Sequence, residues 1–141
     1  MVRDSTYFCV FTGAGISTAS GIPDYRSGAD TKLKTGAGCW EHAANIKKAK
    51  EEGKLANAPA KKSEFNAKIA KAFPSKCHMA LVELMNRGLL KHVTSQNVDG
   101  LHRKSGIPAD RCSELHGNTN LEVCTNCARE YMRDFAVRTQ Q

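Results

Sequence analysis

The sequence predicts an α/β protein built on a parallel sheet, and three stretches carry that expectation. A short apolar run, Tyr7-Phe8-Cys9-Val10-Phe11, is rich in aromatic and β-branched residues and leads directly into glycine. A helical pattern lies between Ser75 and Gly88, and immediately behind it Leu89-Leu90-Lys91-His92-Val93-Thr94 reads as a second strand. Strand, helix and strand in that order make a βαβ layout, whose two strands run parallel.

Taken in order, the first strand is expected to bury Cys9 and then break at Gly13-Ala14-Gly15-Ile16-Ser17-Thr18-Ala19-Ser20-Gly21-Ile22-Pro23-Asp24-Tyr25-Arg26. A strand running into Gly-x-Gly opens many nucleotide-binding βα units. The glycines let backbone N–H groups approach a phosphate, and the N-terminus of a following helix adds its positive dipole end. The third glycine of the dinucleotide fingerprint would fall at Thr18, so the ordinary pattern is not met. Ser27-Gly28-Ala29-Asp30 and Gly36-Ala37-Gly38 frame a loop before Trp40, the single tryptophan, read as a core or rim anchor or a pocket wall.

Ala, Lys and Glu favour a helix over 41–52, interrupted by Gly53, Asn57 and Pro59. A second helix is predicted from the N-cap Ser63 to Pro74, packing Phe65, Ile69, Ala72 and Phe73 on one face. The third is the clearest. Ser75 caps it, Cys77, Leu81, Leu84 and Met85 give it an apolar stripe, and Gly88 stops it at C′. The last quarter carries shorter pieces: strands near 112–115 and 120–123, a C-x-x-C turn, and a final short helix or strand.

A chain of 141 residues fits one modest domain, able to bury roughly two-thirds of its unfolded surface. Its 40% hydrophobic and 25% charged residues are globular values. No apolar run approaches the ~20 residues that span a bilayer. The first apolar run follows Arg3 and Asp4 and is too short for a signal peptide, so a soluble, intracellular protein with no membrane partner is expected. Six cysteines in such a compartment do not make a disulfide framework. Cys9 and Cys77 read as small hydrophobes, Cys39 and Cys112 as free thiols, and Cys124-Thr125-Asn126-Cys127 as metal or redox chemistry.

The net charge is +7, and most of the excess lies between Lys47 and Lys76, where nine lysines face only Glu51, Glu52 and Glu64. The segment reads either as a solvated helical excursion or as a patch attracting nucleic acid or acidic chromatin surfaces. With Phe65 and Phe73 its only aromatics, it supports sequence-independent phosphate attraction at most.

Two further clusters carry chemistry. Ser95-Gln96-Asn97-Val98-Asp99-Gly100-Leu101-His102 follows the second strand, and ligands of open α/β sheets bind beyond strand carboxyl ends. Gln96 and Asn97 suit an amide or ribose hydroxyls, and Asp99 can accept from a carboxamide. On its own the segment equally suits an Asx-rich turn capping a short helix. Glu114-Leu115-His116-Gly117-Asn118 places a histidine beside glycine at a strand end, sterically open and suited to general-base work. His102 is assigned a structural role, while His42, His78 and His92 carry no signal. Cys124 and Cys127 are half of a zinc site, since a closed tetrahedral site needs four ligands. An internal alternative would gather Cys112, His116, Cys124 and Cys127.

Gly13–Arg26 resembles the first signature of the sirtuins, the NAD-dependent protein deacylases. Gln-Asn-Val-Asp-Gly-Leu-His at 96–102 resembles their second, and Leu115-His116-Gly117 ahead of a C-x-x-C resembles the setting of their catalytic histidine. The linking text, such as Cys77-His78-Met79-Ala80-Leu81-Val82, is also similar and leans toward the class IV, nuclear chromatin-associated branch. The resemblance implies a Rossmann-like NAD-binding part over 1–117, with the lysine-rich helical segment 41–76 inside it. Residues 118–141 would start a small zinc-binding module.

It further implies that Gly13, Ala14, Gly15, Thr18, Asp24, Tyr25, Arg26, Trp40 and Gln96 serve the NAD site. Asn97 and Asp99 would line the nicotinamide pocket, and His116 would be the base. Catalysis is expected to rest on His116 and Asn97, and the cofactors on NAD and on Zn2+ at Cys124 and Cys127. Implied partners are acyl-lysine proteins, histones among them, in the nucleus or cytoplasm with the nucleus favoured. ADP-ribosyl transfer and an inactive binding module are the competing expectations. Tyr25 replaces the family's usual Phe, and the lysine-rich segment is longer than the class IV branch leads one to expect. The family's second cysteine pair, its Gly-Thr-Ser segment and its later Asn-containing loop are not in the chain, so the sheet is expected to be incomplete with unpaired edges.

Overall fold

The computed structural model describes residues 4–53, 69 and 71–137. Strand β1 (Phe8–Thr12) leads into a 3-10 segment, Ala14–Ser20, and then helix α1 (Cys39–Glu51). Helix α2 (Lys76–Asn86) precedes β2 (Leu90–Ser95), the one-turn α3 (Leu101–Lys104) and β3 (Cys112–Glu114). A two-stranded ribbon, β4 (Leu121–Val123) and β5 (Glu130–Met132), ends the described chain.

The first three strands form one parallel sheet in the order β1-β2-β3. Its register pairs Thr12 with Ser95, and Ser95 with Glu114. That alignment matters more than any single contact. It puts the last residues of all three strands in one row, so the loops that begin at Gly13, Gln96 and Leu115 emerge side by side.

The central strand carries the core. Leu90 and Val93 are fully buried and cluster with Met85 and Ile107, with Phe8, Val10 and Leu81 packed against them. Full burial of side chains of this size contributes about 1.5–3 kcal/mol each. A second small cluster, Ile22, Ile69 and Leu101, lies under the site.

Helix α2 is bounded as its sequence demands. Ser75 Oγ accepts from the His78 N–H at 3.4 Å, and the Ser75 N–H donates to His78 Nδ1 at 3.1 Å, a reciprocal cap with histidine in the place of the usual Glu or Gln. At the other end Gly88, at φ +73°, bonds to the Met85 carbonyl, and Leu89 N–H reaches the Leu84 carbonyl at 3.0 Å, closing a Schellman motif.

The expectations for Cys9, Cys77 and Phe73 need correction. Cys9 is exposed because alternation along β1 turns Cys9 and Phe11 to an uncovered face of the sheet, while Phe8, Val10 and Thr12 turn inward. Cys77 is exposed because the buried stripe of α2 runs through His78 and Met85 instead. The turn after β1 continues as a 3-10 segment. Phe73 is solvent-exposed, and residues 72–75 are not helical, so the predicted helix ending at Pro74 stops earlier; most of its length, 63–68 and 70, lies outside the described residues. Lys47 to Glu51 form part of α1, which buries no residue and is a solvated excursion; the rest of the lysine-rich segment falls largely outside the described residues.

Candidate functional site

The row of strand ends makes a polar cluster out of residues about eighty positions apart. Asn97 Nδ2 donates to the Gly13 carbonyl at 3.0 Å and to Ser17 Oγ at 3.2 Å. Ser17 Oγ in turn donates to Asp99 Oδ2 at 2.6 Å, a charge-assisted length. Asp99 Oδ1 accepts the Leu101 N–H at 3.0 Å and so also starts α3, while the Asn97 N–H donates to Ser95 Oγ. Ser17, Ser95, Asn97 and Asp99 are all buried. A carboxylate this far from water is tolerated because a hydroxyl and an amide satisfy it. The Asx turn and the polar site, alternatives by sequence, are therefore the same structure. Ala14, Ile22, Pro23, Tyr25, Ile69 and Val98 complete a pocket over Ser17, Asn97 and Asp99.

His116 stands at the edge of this cluster. Its Nδ1 lies 2.9 Å from the Gln96 carbonyl, while the Gln96 N–H donates to the Thr12 carbonyl at 3.1 Å. A carbonyl only accepts, so Nδ1 carries the proton and Nε2 of the neutral, exposed ring is the proton acceptor. The turn bearing His116 is held by its flanks: Asn118 Nδ2 donates to both Glu114 carboxylate oxygens, at 2.9 and 3.1 Å. Burial pushes the Glu114 carboxyl up. Gly100 is obligatory here, since its φ is +69° and a Cβ would come within 2.8 Å of Asn118 Oδ1.

The outer wall comes from the 24–27 turn. Asp24 accepts from the Ser27 N–H and from Ser27 Oγ. The start of α1 straps onto this turn through Gly38 N–H to Ser27 O (2.7 Å), Cys39 N–H to Asp24 O (2.8 Å) and Trp40 N–H to Tyr25 O (3.1 Å). Only glycine fits at position 38, where a Cβ would sit 2.6 Å from the Tyr25 carbonyl carbon. The strap brings the Tyr25 and Trp40 rings to 6.0 Å, with the Arg26 guanidinium 5.4 Å over Trp40. All three side chains are exposed. Thr18 Oγ1 donates back to the Gly15 carbonyl and closes its own turn, while the space around Gly15 is open.

Thus Gly13, Ala14, Tyr25, Gln96, Asn97, Asp99 and His116 converge, with Arg26 and Trp40 joined to them through Tyr25. Sequence reasoning missed Ser17, the bridge between Asn97 and Asp99, and the pair Glu114–Asn118 that shapes the histidine turn. It also dismissed His78, which is buried; the spacing Ser75-x-x-His78 was its one available signal, hidden because the capping rule names Glu or Gln.

Cys124 and Cys127 sit in the turn between β4 and β5. The Cys124 thiol is pulled below its usual range first by backbone N–H groups of Cys127 and Asn126, then by the Cys127 thiol. That favours thiolate, the form a metal requires. Among the described residues no three His, Cys, Asp or Glu side chains gather as a metal site, so the internal set Cys112, His116, Cys124 and Cys127 is not formed. Cys112 instead lies in β3, its thiol pushed by burial up to about 11. No helix among the described residues is long and apolar enough to cross a membrane.

The chain is similar to known proteins. The chain is 45% identical over 139 residues to the NAD-dependent protein deacetylase SRT1 of Arabidopsis thaliana, covering 99% of this chain and 25% of that protein. It is 41% identical over 140 residues to the NAD-dependent protein deacetylase sirtuin-7 of Homo sapiens, covering 96% and 29%. Among solved structures, a Sir2 homolog–NAD complex superposes with a TM-score of 0.60 at 27% identity, over 97% of this chain and 51% of that one. A Sir2 bound to acetylated peptide gives 0.54 at 28% identity, over 93% and 48%. The chain therefore spans about a quarter of these curated relatives and about half of these solved chains. With the Sir2 family matching residues 13–141 and the three signature stretches meeting at one row of strand ends, the chain belongs to the Sir2 family.

Proposed function

We propose that the protein carrying this chain uses NAD to remove acyl groups from protein lysines, releasing nicotinamide and O-acyl-ADP-ribose. One observation carries the reading: the buried Asn97–Ser17–Asp99 cluster lies beside a histidine whose Nδ1 is committed to the Gln96 carbonyl. Relatives named as NAD-dependent protein deacetylases support it, as do solved neighbours described with NAD and with acetylated peptide.

In this reading Gly13, Ala14, Gly15 and Thr18 take the phosphate side of the dinucleotide. Asp24 shapes the turn that presents Tyr25, Arg26 and Trp40, which with Gln96 wall it in. Asn97 and Asp99 offer a donor and an acceptor matched to a carboxamide. NAD, when bound, supplies a glycosidic carbon from which nicotinamide leaves. His116 Nε2 accepts the proton of a ribose hydroxyl, and its Nδ1–H bond to Gln96 keeps the ring in the tautomer that can do so. Cys124 and Cys127 fit two of the four positions of a structural zinc, whose remaining ligands would come from outside the described residues. Histone-like tails are the substrates we favour, in the nucleus; exposed Lys47, Lys48 and Lys50 on α1 support contact with an acidic or phosphate-bearing surface.

The test is nicotinamide release from NAD in the presence of an acetyl-lysine peptide. Peptide-dependent release is expected, reduced at least ~10²-fold by His116→Ala. No release from the intact protein overturns the proposal, and label transferred from NAD to protein without deacylation would replace it with ADP-ribosyl transfer.

A further inference from the structure

Two buried histidines lie beneath the glycine turn, and the chemistry above uses neither. His78 on α2 and His102 on α3 are 0% and 2% exposed, with ring centroids 4.8 Å apart and planes tilted by 57°. Each ring is bonded at one nitrogen only. His78 Nδ1 accepts the Ser75 backbone N–H at 3.1 Å, so it bears no proton, and the neutral ring carries its proton on Nε2. His102 Nε2 bonds to Thr12 Oγ1 at 2.8 Å. His78 Nε2 and His102 Nδ1 are both buried with no hydrogen-bond partner among the described residues.

The anchors of the pair are what give it meaning. Ser75 Oγ lies 2.9 Å from the Ile16 carbonyl, inside the 3-10 segment, and 2.8 Å from His78 Nδ1, so its single proton is shared between these two acceptors. Thr12 is the residue immediately before Gly13, whose carbonyl Asn97 holds. The two rings therefore sit between the entry and the middle of the glycine turn. Charged or titratable groups acting on them are few: Asp99 and the other histidine. Asp99 is already engaged by Ser17 and Leu101, and no carboxylate bonds to either ring. A proton added to His78 would face the Ser75 N–H, and one added to either ring would leave a buried cation without a counter-ion.

We infer that His78 and His102 are positioning residues of the nucleotide turn, a neutral pair of rings in tilted contact that holds Ile16 and Thr12 in place and lets go when protonated. Burial lowers the basicity of both, His102 to about 4, so the pair stays neutral at physiological pH. That this turn takes a dinucleotide rests on the function proposed above; the mechanical role does not.

The experiment is a ¹⁵N NMR titration of the full chain, following both imidazoles and the Gly13 and Ile16 amides, with NAD affinity measured alongside. The expected result is an Nε2–H tautomer at His78, both rings neutral at pH 6, and Gly13 and Ile16 amides that move with these rings and not with His116. Thr12→Val, which keeps the volume but loses the hydroxyl, should shift those amides and weaken NAD binding about fivefold, with Thr12→Ser restoring both. Ordinary titration of His102 near 6.5, or unchanged amides in Thr12→Val, overturns the inference. If the unaltered protein binds no NAD, the proposed function fails while the tautomer and amide readouts still decide this one.

Discussion

The strand-end cluster and the cysteine ribbon are both polar and both close to proposed chemistry, yet they are built on opposite terms. In the cluster, Ser17, Asn97 and Asp99 are almost free of solvent and satisfy one another across about eighty residues of chain. In the ribbon, β5 is exposed along its whole length, and the bonds of the Cys124–Cys127 turn are local, such as Cys124 N–H to Arg129 O and Ala128 N–H to Cys124 O. Its attachment to the rest includes Thr119, whose N–H and Oγ1 both donate to the Val98 carbonyl, and the Arg103–Glu130 pair, while Asn120 ties its own two ends together through the Arg133 and Phe135 carbonyls. One region is assembled because the hydrophobic core aligns the strands beneath it. The other is held mainly by bonds within its own turn.

The largest expected effect should separate them. Leu90→Ala, under the cluster, is expected to cost about 2–5 kcal/mol by thermal unfolding, with amide protection lost around residues 13–17 and 96–101. Equal loss across 121–132 would mean that the two regions are one cooperative unit. Acid probes the same contrast. His102 titrates at about 4 when folded against an ordinary 6.5 when unfolded, so the unfolded chain binds more protons between those values. Stability should therefore fall as pH drops from about 6.5 to about 4, by roughly 3 kcal/mol from His102, with His78 adding in the same direction. A stability that is flat across that window would remove the buried pair from the account.

The ribbon has its own, smaller tests. Asn120 is fully buried, and Asn120→Ala leaves the Arg133 and Phe135 carbonyls without their donor. About 1–3 kcal/mol is expected, seen as faster hydrogen exchange in 130–137 with the cluster unaffected. Smallest is Glu122→Gln, which breaks the half-exposed pair with Arg133 and should change stability by less than ~1 kcal/mol, less still in high salt.

Much of this architecture was legible beforehand. The strands at 8–12 and 90–95, the Ser75 cap and the Gly88 stop follow from local rules, because strand propensity, capping and positive φ act within a few residues. Gly13–Arg26, 96–102 and 115–117 were singled out by motif, and the structure brings Gly13, Asn97, Asp99 and His116 from these stretches to one row of strand ends. What local rules could not supply was sidedness. Cys9 was assigned to the interior and Cys77 to the packed stripe, but which face of a strand or helix is covered depends on its neighbours, and both lie on uncovered faces. Ser17 escaped because its meaning comes from Asp99, 82 positions away, while His78 has a local cap partner in Ser75 but meets His102 only through the fold.

By itself the sequence determined the parallel α/β class, the Sir2 signatures and the short-range caps and turns, all of which depend on residue type and close spacing. Tertiary structure alone decided that Thr12, Ser95 and Glu114 end in one row, that Asn97, Ser17 and Asp99 close a buried chain of hydrogen bonds, and that His116 leans on the Gln96 carbonyl. Register is the physical reason. Parallel strands separated by long crossovers are aligned by the core they share, and the positions of distant polar groups follow from that alignment.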